Sequence, residues 1–399
     1  MIRPTTDSAQ RTLRVLHVIG TLRGGGAETL VRELLPRFAR RGLEVAVYSG
    51  HDSGLNEAER AALPYPLLQG AKNGHFDVGF GPRTFAAIRR FRPDIVHTHT
   101  FTGKYWGRAC ALANGVDVIV HTEHSPQPEL GHWEAPFARM LAPFTDAFIT
   151  FSRRNADFIA RREPVSRLEI IPNGIEVEPA PTDDERQRAR AALGASPDVV
   201  VIGVVASLQP KKNQRLAIEA FARLPRRRRA RLDLFGAGAE EPALRQLAAQ
   251  LGVADDVTFW GFRSDVRALL PGLDVFLSVA TVEAAPISLL EAMSACLPIL
   301  GTPHIGTLDF VEDRVTGLVI PDWSVASVAG ALDVAVTDRA WRTAAGTAGR
   351  HRVVADFDIE RVADRHVRLY EELRATPCAS VSPVSRRRSR SYGSSPGTR

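Results

Sequence analysis

Short β-branched runs alternate with stretches of helical spacing along this chain, and partway through the alternation breaks off and starts again. Leu13-Arg-Val-Leu-His-Val-Ile19 reads as a buried first strand. It enters the glycine-rich turn Gly20-Thr-Leu-Arg-Gly-Gly-Gly-Ala-Glu28, and residues 29–41 then show helical spacing through Leu30, Leu34, Leu35 and Phe38. Strand-like runs follow at 43–48, 94–97, 116–121, 147–151 and 167–171, with helical stretches at 83–91 and 103–113. Strands alternating with helices imply a parallel sheet covered by helices. Pro172-Asn-Gly-Ile-Glu176 is a turn signal, and residues 178–190, Pro-rich and then charged, read as an interdomain connection. The pattern restarts with strands at 198–206, 232–235, 257–262, 275–279, 297–301 and 317–321 and closes with helices at 324–337, 340–354 and 358–373. The expected fold class is therefore α/β with two similar parallel-sheet domains, 1–178 and 179–355. A helix over 356–374 and a tail at 375–399 follow.

At 399 residues the chain has room for two separate cores. The net charge of +6 suggests an anionic partner until it is divided along the chain. Lys+Arg against Asp+Glu is 22 to 19 before residue 179, 24 to 26 over 179–374 and 5 to none from 375 onward. Most of the excess thus belongs to a Ser/Arg/Pro/Gly tail that reads as disordered, and a nucleic-acid partner is not expected. No run of about 18 apolar residues exists to span a membrane, and residues 1–11 lack the apolar core of a secretory signal. Three cysteines without metal-like spacing suit a reducing, cytoplasmic setting. Of 51 basic residues only Lys72, Lys104, Lys211 and Lys212 are lysines, which makes the adjacent Lys211-Lys212 conspicuous.

Two carboxylates eight positions apart, Glu283 and Glu291, flank Pro286, a residue suited to a helix's first turn. Glu283 then falls in a loop and Glu291 inside a helix, both near its start, where unpaired backbone N–H groups can receive phosphate. Lys211 and Lys212 precede another helix start, where the dipole disfavours cations unless an anion is bound. His97 and His99 follow one strand, and His121, Glu123 and His124 another. Their spacing fits no zinc signature, so no metal site is expected. Asp356-Phe-Asp358 spells the Asp-x-Asp string of metal-dependent transferases but lies where a helix cap is expected.

Seven collinear stretches resemble the family 4 glycosyltransferases over residues 13–373. They are Gly24-Gly-Gly-Ala-Glu28, Pro93-Asp-Ile-Val-His97, Thr122-Glu-His124, Ile171-Pro-Asn-Gly-Ile175, Val205-Ala-Ser-Leu-Gln-Pro-Lys-Lys-Asn213, Glu283 to Glu291 with Ala292-Met293, and Thr316-Gly-Leu-Val319. The resemblance implies the GT-B architecture, two Rossmann-like domains facing across a cleft. The first would lie on the acceptor side, the second would bind a nucleotide sugar, and the final helix would cross back to the first domain. It implies that Glu291 holds the ribose hydroxyls and Glu283 the donor sugar's ring hydroxyls. The N–H groups of Ile287 and Ser288 would receive the diphosphate, Lys212 would neutralise it, and the Gly26 amide would also reach it. His124 would stand near the hexose 6-hydroxyl, and Gly261, Phe262 and Arg263 at the base. The catalytic set so implied is Glu283, Lys212 and His124.

Two positions depart from the family pattern. Ser207 stands where an arginine is usual, leaving Lys211, Arg23 or Arg263 to compensate, and Asp309 stands near a usual glutamate. By resemblance the reaction moves a hexosyl group from a UDP- or GDP-sugar to a saccharide or polyprenyl-linked acceptor. Retention at the anomeric carbon, and no metal or other cofactor, are expected with it. Arginines at 89, 90, 92, 153, 154, 161 and 162 are candidates for peripheral contact with anionic lipid on the inner membrane face. A nucleotide-sugar epimerase and a non-catalytic sugar-nucleotide-binding protein are the alternatives.

Overall fold

The computed structural model describes residues 11–22, 25–70, 79–124, 134–225, 229–283 and 285–375. Arg23 and the basic tail beyond 375 lie outside them. The chain forms two compact units, one running to Ile171 and taking in residues from Ala363 onward, the other formed by Pro172–Val362.

The first unit is built on seven parallel strands: β1 (Arg14–Ile19), β2 (Glu44–Ser49), β3 (Leu67–Gln69), β4 (Ile95–His99), β5 (Val118–Thr122), β6 (Ala147–Thr150) and β7 (Leu168–Ile170). Their spatial order is β3-β2-β1-β4-β5-β6-β7, so the direction of winding reverses between β1 and β4. A doubly wound sheet leaves a crevice at such a reversal, beyond the strands' carboxyl ends. One face is packed by Leu16, Val18, Ala46, Tyr48, Val96 and Ile119. The register sets His17 beside His97 and His99 beside Thr122. Helix Ile359–Ala375 supplies Tyr370 to this unit, its hydroxyl 2.5 Å from His97 Nδ1. Asp358 Oδ1 accepts the Glu360 N–H at 2.9 Å, the capping expected of Asp356-Phe-Asp358.

The second unit has β8 (Val200–Val205), β9 (Ala230–Phe235), β10 (Val257–Gly261), β11 (Val275–Ser278), β12 (Ile299–Gly301) and β13 (Gly317–Val319) in the order β10-β9-β8-β11-β12-β13. Alternate residues feed two cores, as the strand's period of two requires. Val201, Phe276 and Ile299 enter one, while Ile202, Val204, Leu277 and Leu300 enter the other. The reversal here falls between β8 and β11, and the loops that follow those two strands carry Lys212 and Glu283.

The segment after Glu178, read from the sequence as an interdomain connection, contains a helix. Thr182 Oγ1 accepts from Glu185 N at 3.2 Å while Glu185 Oε2 accepts from Thr182 N at 2.8 Å. This capping box starts helix Asp183–Ala192, which Arg190 ties to Asp274 at 2.9 Å. Only Ala189 of the helix is buried, so its sequence has the polarity of a linker. The expected helix over 103–113 also differs, because Gly103–Gly107 is a π-helical turn before Arg108–Ala113. Among the described residues no helix is long and apolar enough to cross a membrane.

Candidate active site

β11 ends at Ser278, and the chain passes through Glu283 before helix Ile287–Ser294 begins. Several elements fix this loop. Thr302 Oγ1 and Trp323 Nε1 donate to Ala280 O at 3.0 and 2.9 Å. Thr281 N donates to Lys211 O and Gly306 N to Glu283 O, both at 2.9 Å. Asn173, of the Pro-Asn-Gly turn, donates through Nδ2 to Ala285 O at 2.9 Å. Each bond satisfies a carbonyl that would otherwise cost about 1–3 kcal/mol to bury unpaired, so the backbone around Glu283 is set before any ligand arrives.

Lys212 Nζ donates to Glu283 Oε1, with both side chains mostly but not wholly buried. Lys212 stands there because Pro210–Lys212 forms a short 3-10 turn after β8 and Asn213 adopts a left-handed backbone, φ 53°. The loop beneath is braced by Leu208 N donating to Ala237 O at 3.0 Å. Gly236 makes this closeness feasible: its φ is +141°, and a Cβ would lie 2.0 Å from Ala206 O.

Pro286 is extended, one residue before the helix rather than inside its first turn. Leu289 N bonds back to Pro286 O at 3.2 Å, while the N–H groups of Ile287 and Ser288 find no acceptor among the described residues. Donors so placed at the positive helix end suit an anion. Glu291 lies 3.5 Å from Arg267 Nε, whose Nη2 also donates to Glu176 O. Gly261 ends β10 with φ +66°, and Phe262 after it is 79% exposed. Of the residues expected to compensate for Ser207, Arg263 is held by a two-point pair with Asp265, 2.7 Å at each contact. Lys211 has no carboxylate partner among the described residues. The Ser207 side chain is exposed, and its carbonyl accepts from Gln214 Nε2 at 2.9 Å.

His304 gave no sign in the sequence. Buried at the start of helix Ile305–Phe310, it accepts the Thr307 N–H on Nδ1 at 3.2 Å, so its own proton must sit on Nε2, 2.8 Å from Ser278 Oγ. It therefore ties the end of β11 to the segment whose Gly306 N–H holds Glu283. Burial lowers its pKa to about 4 against the opposing pull of Glu283, which keeps the ring neutral. Asp309 lies in the same helix, and its carbonyl accepts from Arg352 at 3.0 Å.

In the first unit Gly26 opens helix Gly26–Arg40 directly after the β1 turn. His124 lies two residues past β5 and belongs to a row of imidazoles. His124 Nε2 is 3.0 Å from His99 Nδ1, and His99 Nε2 is 3.0 Å from His17 Nδ1. Burial lowers His17 and His124 to about 3 and His99 well below its ordinary value, so all three rings are neutral near pH 7. Ring nitrogens of His17, His97 and His99 lie within 4.8 Å of one another, a grouping that could hold a cation. His97, however, has Nδ1 against the Tyr370 hydroxyl and Nε2 against Thr122 Oγ1 at 2.7 Å. It has no lone pair to give without losing one of these bonds.

Behind His124 lies a buried ionic cluster. Lys104 Nζ reaches Glu123 Oε2 at 2.7 Å and Glu163 Oε1 at 2.5 Å, and Arg108 lies 3.9 Å from Glu163. Burial works against the charge on Lys104, but the two carboxylates outweigh it and its pKa is raised. Burial likewise opposes the Glu123 charge, yet His121 and Lys104 bring that carboxyl down to about 2.

Residues 185–352 match the family described as Glycosyl transferases group 1, and residues 24–179 match Glycosyltransferase Family 4. EpsD of Bacillus subtilis, a candidate glycosyltransferase, is 30% identical over 265 residues, 60% of this chain and 68% of its own. The GDP-mannose-dependent alpha-(1-6)-phosphatidylinositol monomannoside mannosyltransferase of Mycobacterium tuberculosis is 28% identical over 379 residues, 86% of this chain and 93% of its own. Among solved structures, Anabaena HepE in complex with UDP and glucose has a TM-score of 0.80 at 18% identity, covering 90% of this chain and 99% of that one. WaaG, a glycosyltransferase involved in lipopolysaccharide biosynthesis, has a TM-score of 0.71 at 23% identity, covering 89% and 99%. The two parallel-sheet units carry the GT-B fold, and the chain belongs to the family 4 glycosyltransferases.

Proposed function

We propose that this glycosyltransferase moves a hexosyl group from a nucleoside diphosphate sugar to a saccharide or lipid-linked saccharide, with retention and without a metal. The observation that carries the reading is the Glu283 loop. Lys212 and the N–H groups of Ile287 and Ser288, which have no acceptor among the described residues, offer positive charge to a departing diphosphate, while Glu283 and Glu291 offer acceptors to hydroxyls. In this reading Glu291 grips the ribose and Glu283 the sugar ring, with Phe262, Gly261 and Arg263 at the base. Gly26 and His124 serve the diphosphate and the hexose. Lys211 takes the part that Ser207 cannot. The leaving diphosphate accepts the acceptor's proton on the same face, since no protein nucleophile is assigned.

Support for the donor class comes from relatives on both sides of the UDP/GDP divide: HepE holds UDP and glucose, and the mycobacterial relative is GDP-mannose-dependent. The latter's phosphatidylinositol acceptor and the lipopolysaccharide role of WaaG support a lipid-linked acceptor met at the cytoplasmic membrane face.

Thermal stabilisation across UDP, GDP and their hexose derivatives tests the reading, because a ligand that binds the native state raises stability with its affinity. One donor series should stabilise the protein and Glu291→Ala should abolish that gain; stabilisation by none of them refutes a sugar-nucleotide donor. Transfer in excess EDTA, with the product's anomeric configuration read by NMR, tests the metal and stereochemical parts. Activity that vanishes in EDTA and returns with Mg²⁺ would contradict metal independence. Sedimentation with anionic and neutral liposomes tests membrane contact, which binding to neither would exclude.

A further inference from the structure

The row of imidazoles behind His124 has a direction. A neutral imidazole carries one N–H and one bare nitrogen, so in a chain of three the position of the first proton fixes the other two. The inner end is His17, wholly buried between β2 and β4, and its Nε2 has no hydrogen-bond partner among the described residues. A buried N–H left without an acceptor is the rarer and costlier orphan, compared with a bare acceptor nitrogen. The His17 proton therefore sits on Nδ1 and is donated to His99 Nε2. His99 then carries its proton on Nδ1 and donates it to His124 Nε2. Nε2 of His124 is thus an acceptor, and its proton is on Nδ1, the nitrogen with no partner among the described residues.

We infer that His99, backed by His17, is a positioning residue that holds His124 in the Nδ1–H form, presenting a neutral hydrogen-bond donor to the sugar. The role of the outer nitrogen rests on the reading of His124 as a sugar-side residue; the direction of the chain does not. The surroundings agree with a neutral row. His121 pairs with Thr98 Oγ1 at 2.9 Å, His97 with two hydroxyls, and the Glu123 carboxylate is engaged by Lys104. His366 stacks at a tilt 6.0 Å from His97 and contributes a like charge only if protonated. The consequence is specific: His124 recognises an acceptor oxygen and does not take a proton, so it is not the general base for the incoming hydroxyl.

Two-dimensional NMR of protein labelled with ¹⁵N in the histidine rings reads the tautomer of each ring without any activity assay. The expected wild-type spectrum shows His124 protonated on Nδ1 and bare on Nε2. In His99→Phe the Nε2 partner is lost, and His124 should shift toward the Nε2–H form. The kcat for transfer should then fall about ten- to a hundredfold while the donor KM changes little. In His99→Gln the amide can still accept from His17 and donate to His124, so tautomer and kcat should both be largely restored. A wild-type His124 protonated on Nε2, or a His124 tautomer unmoved in His99→Phe, overturns the inference. So does a spectrum in which added Zn²⁺ shifts the His17 and His99 nitrogens together, since a bound cation would then order the row. Full transfer activity in His124→Ala would instead remove the sugar-side reading and leave the tautomer assignment standing.

Discussion

Within β1 and β4 and just past β5 the first unit sets a row of neutral imidazoles, His17 and His99 fully buried, with paired ions behind them. Past the ends of β8 and β11, the strands that flank the reversal in the second unit, stand Lys212 and Glu283, partly exposed and joined to each other. The same doubly wound layout thus ends in two electrostatic surfaces. One has settled its charges internally and offers neutral donors and acceptors. The other keeps a cation and two helix amides for an anion to claim. A sugar, neutral and rich in hydroxyls, suits the first, and a diphosphate suits the second.

The sharpest way to break this contrast is to remove one carboxylate from each unit. Glu163→Ala strips Lys104 and Arg108 of a partner whose side chain is only 4% exposed. Urea denaturation should show a loss of about 3–5 kcal/mol, because a buried charge is left unpaired. Glu283→Ala, at a partly exposed pair, should cost no more than about 1 kcal/mol yet abolish most transfer. Equal stability losses in the two variants would erase the distinction. Next in size, Lys212→Ala should lower turnover by on the order of 10²–10³ with the unfolding midpoint nearly unchanged. Wild-type turnover would mean that the second unit does not use its cation.

Acidification sharpens the comparison further. His17 and His124 have pKa values lowered to about 3, whereas the unfolded chain takes up protons near 6.5. Stability from each is complete above pH 6.5 and is lost as pH falls toward 3, at about 1.4 kcal/mol per pH unit for each ring that stays neutral. Glu123, lowered to about 2, adds its own loss only below about 4.5. The second unit has His304 alone with such a shift among the described residues. Denaturation at pH 7.5 and 5.5 should therefore weaken the first unit more, and identical midpoints at the two pH values would count against neutral buried imidazoles. Smallest is Asn173→Ala, which removes one bond to the Glu283 loop and should cost about 1 kcal/mol and some turnover. A variant indistinguishable from wild type would show that the loop does not need that bond.

What could be read in the chain alone followed from local rules. Strand and helix alternation gave both sheets except β3, a three-residue edge strand, and Pro286 with the spacing of Glu283 and Glu291 gave the loop-then-helix arrangement. The Asp183–Ala192 helix escaped because only one residue of it is buried, so its spacing carries no apolar stripe. Asn173 was legible as a turn but not as a clamp, since its target lies 112 positions away. The imidazole row was invisible for the same reason. His17 and His99 are 82 positions apart and His99 and His124 are 25, and only the pairing of β1, β4 and β5 aligns them.

The π-helical turn Gly103–Gly107 carries a consequence of its own. Such a turn holds one residue more than an α-helical turn, as if a single amino acid had been spliced into an existing helix. Gly103 and Gly107 lie so close to β1 and β4 that a Cβ on either would meet Val18 or Thr98 atoms at 2.7–2.9 Å. Both ends of the turn therefore have no room for a side chain, and Lys104, the residue after Gly103, meets its two carboxylates from within it.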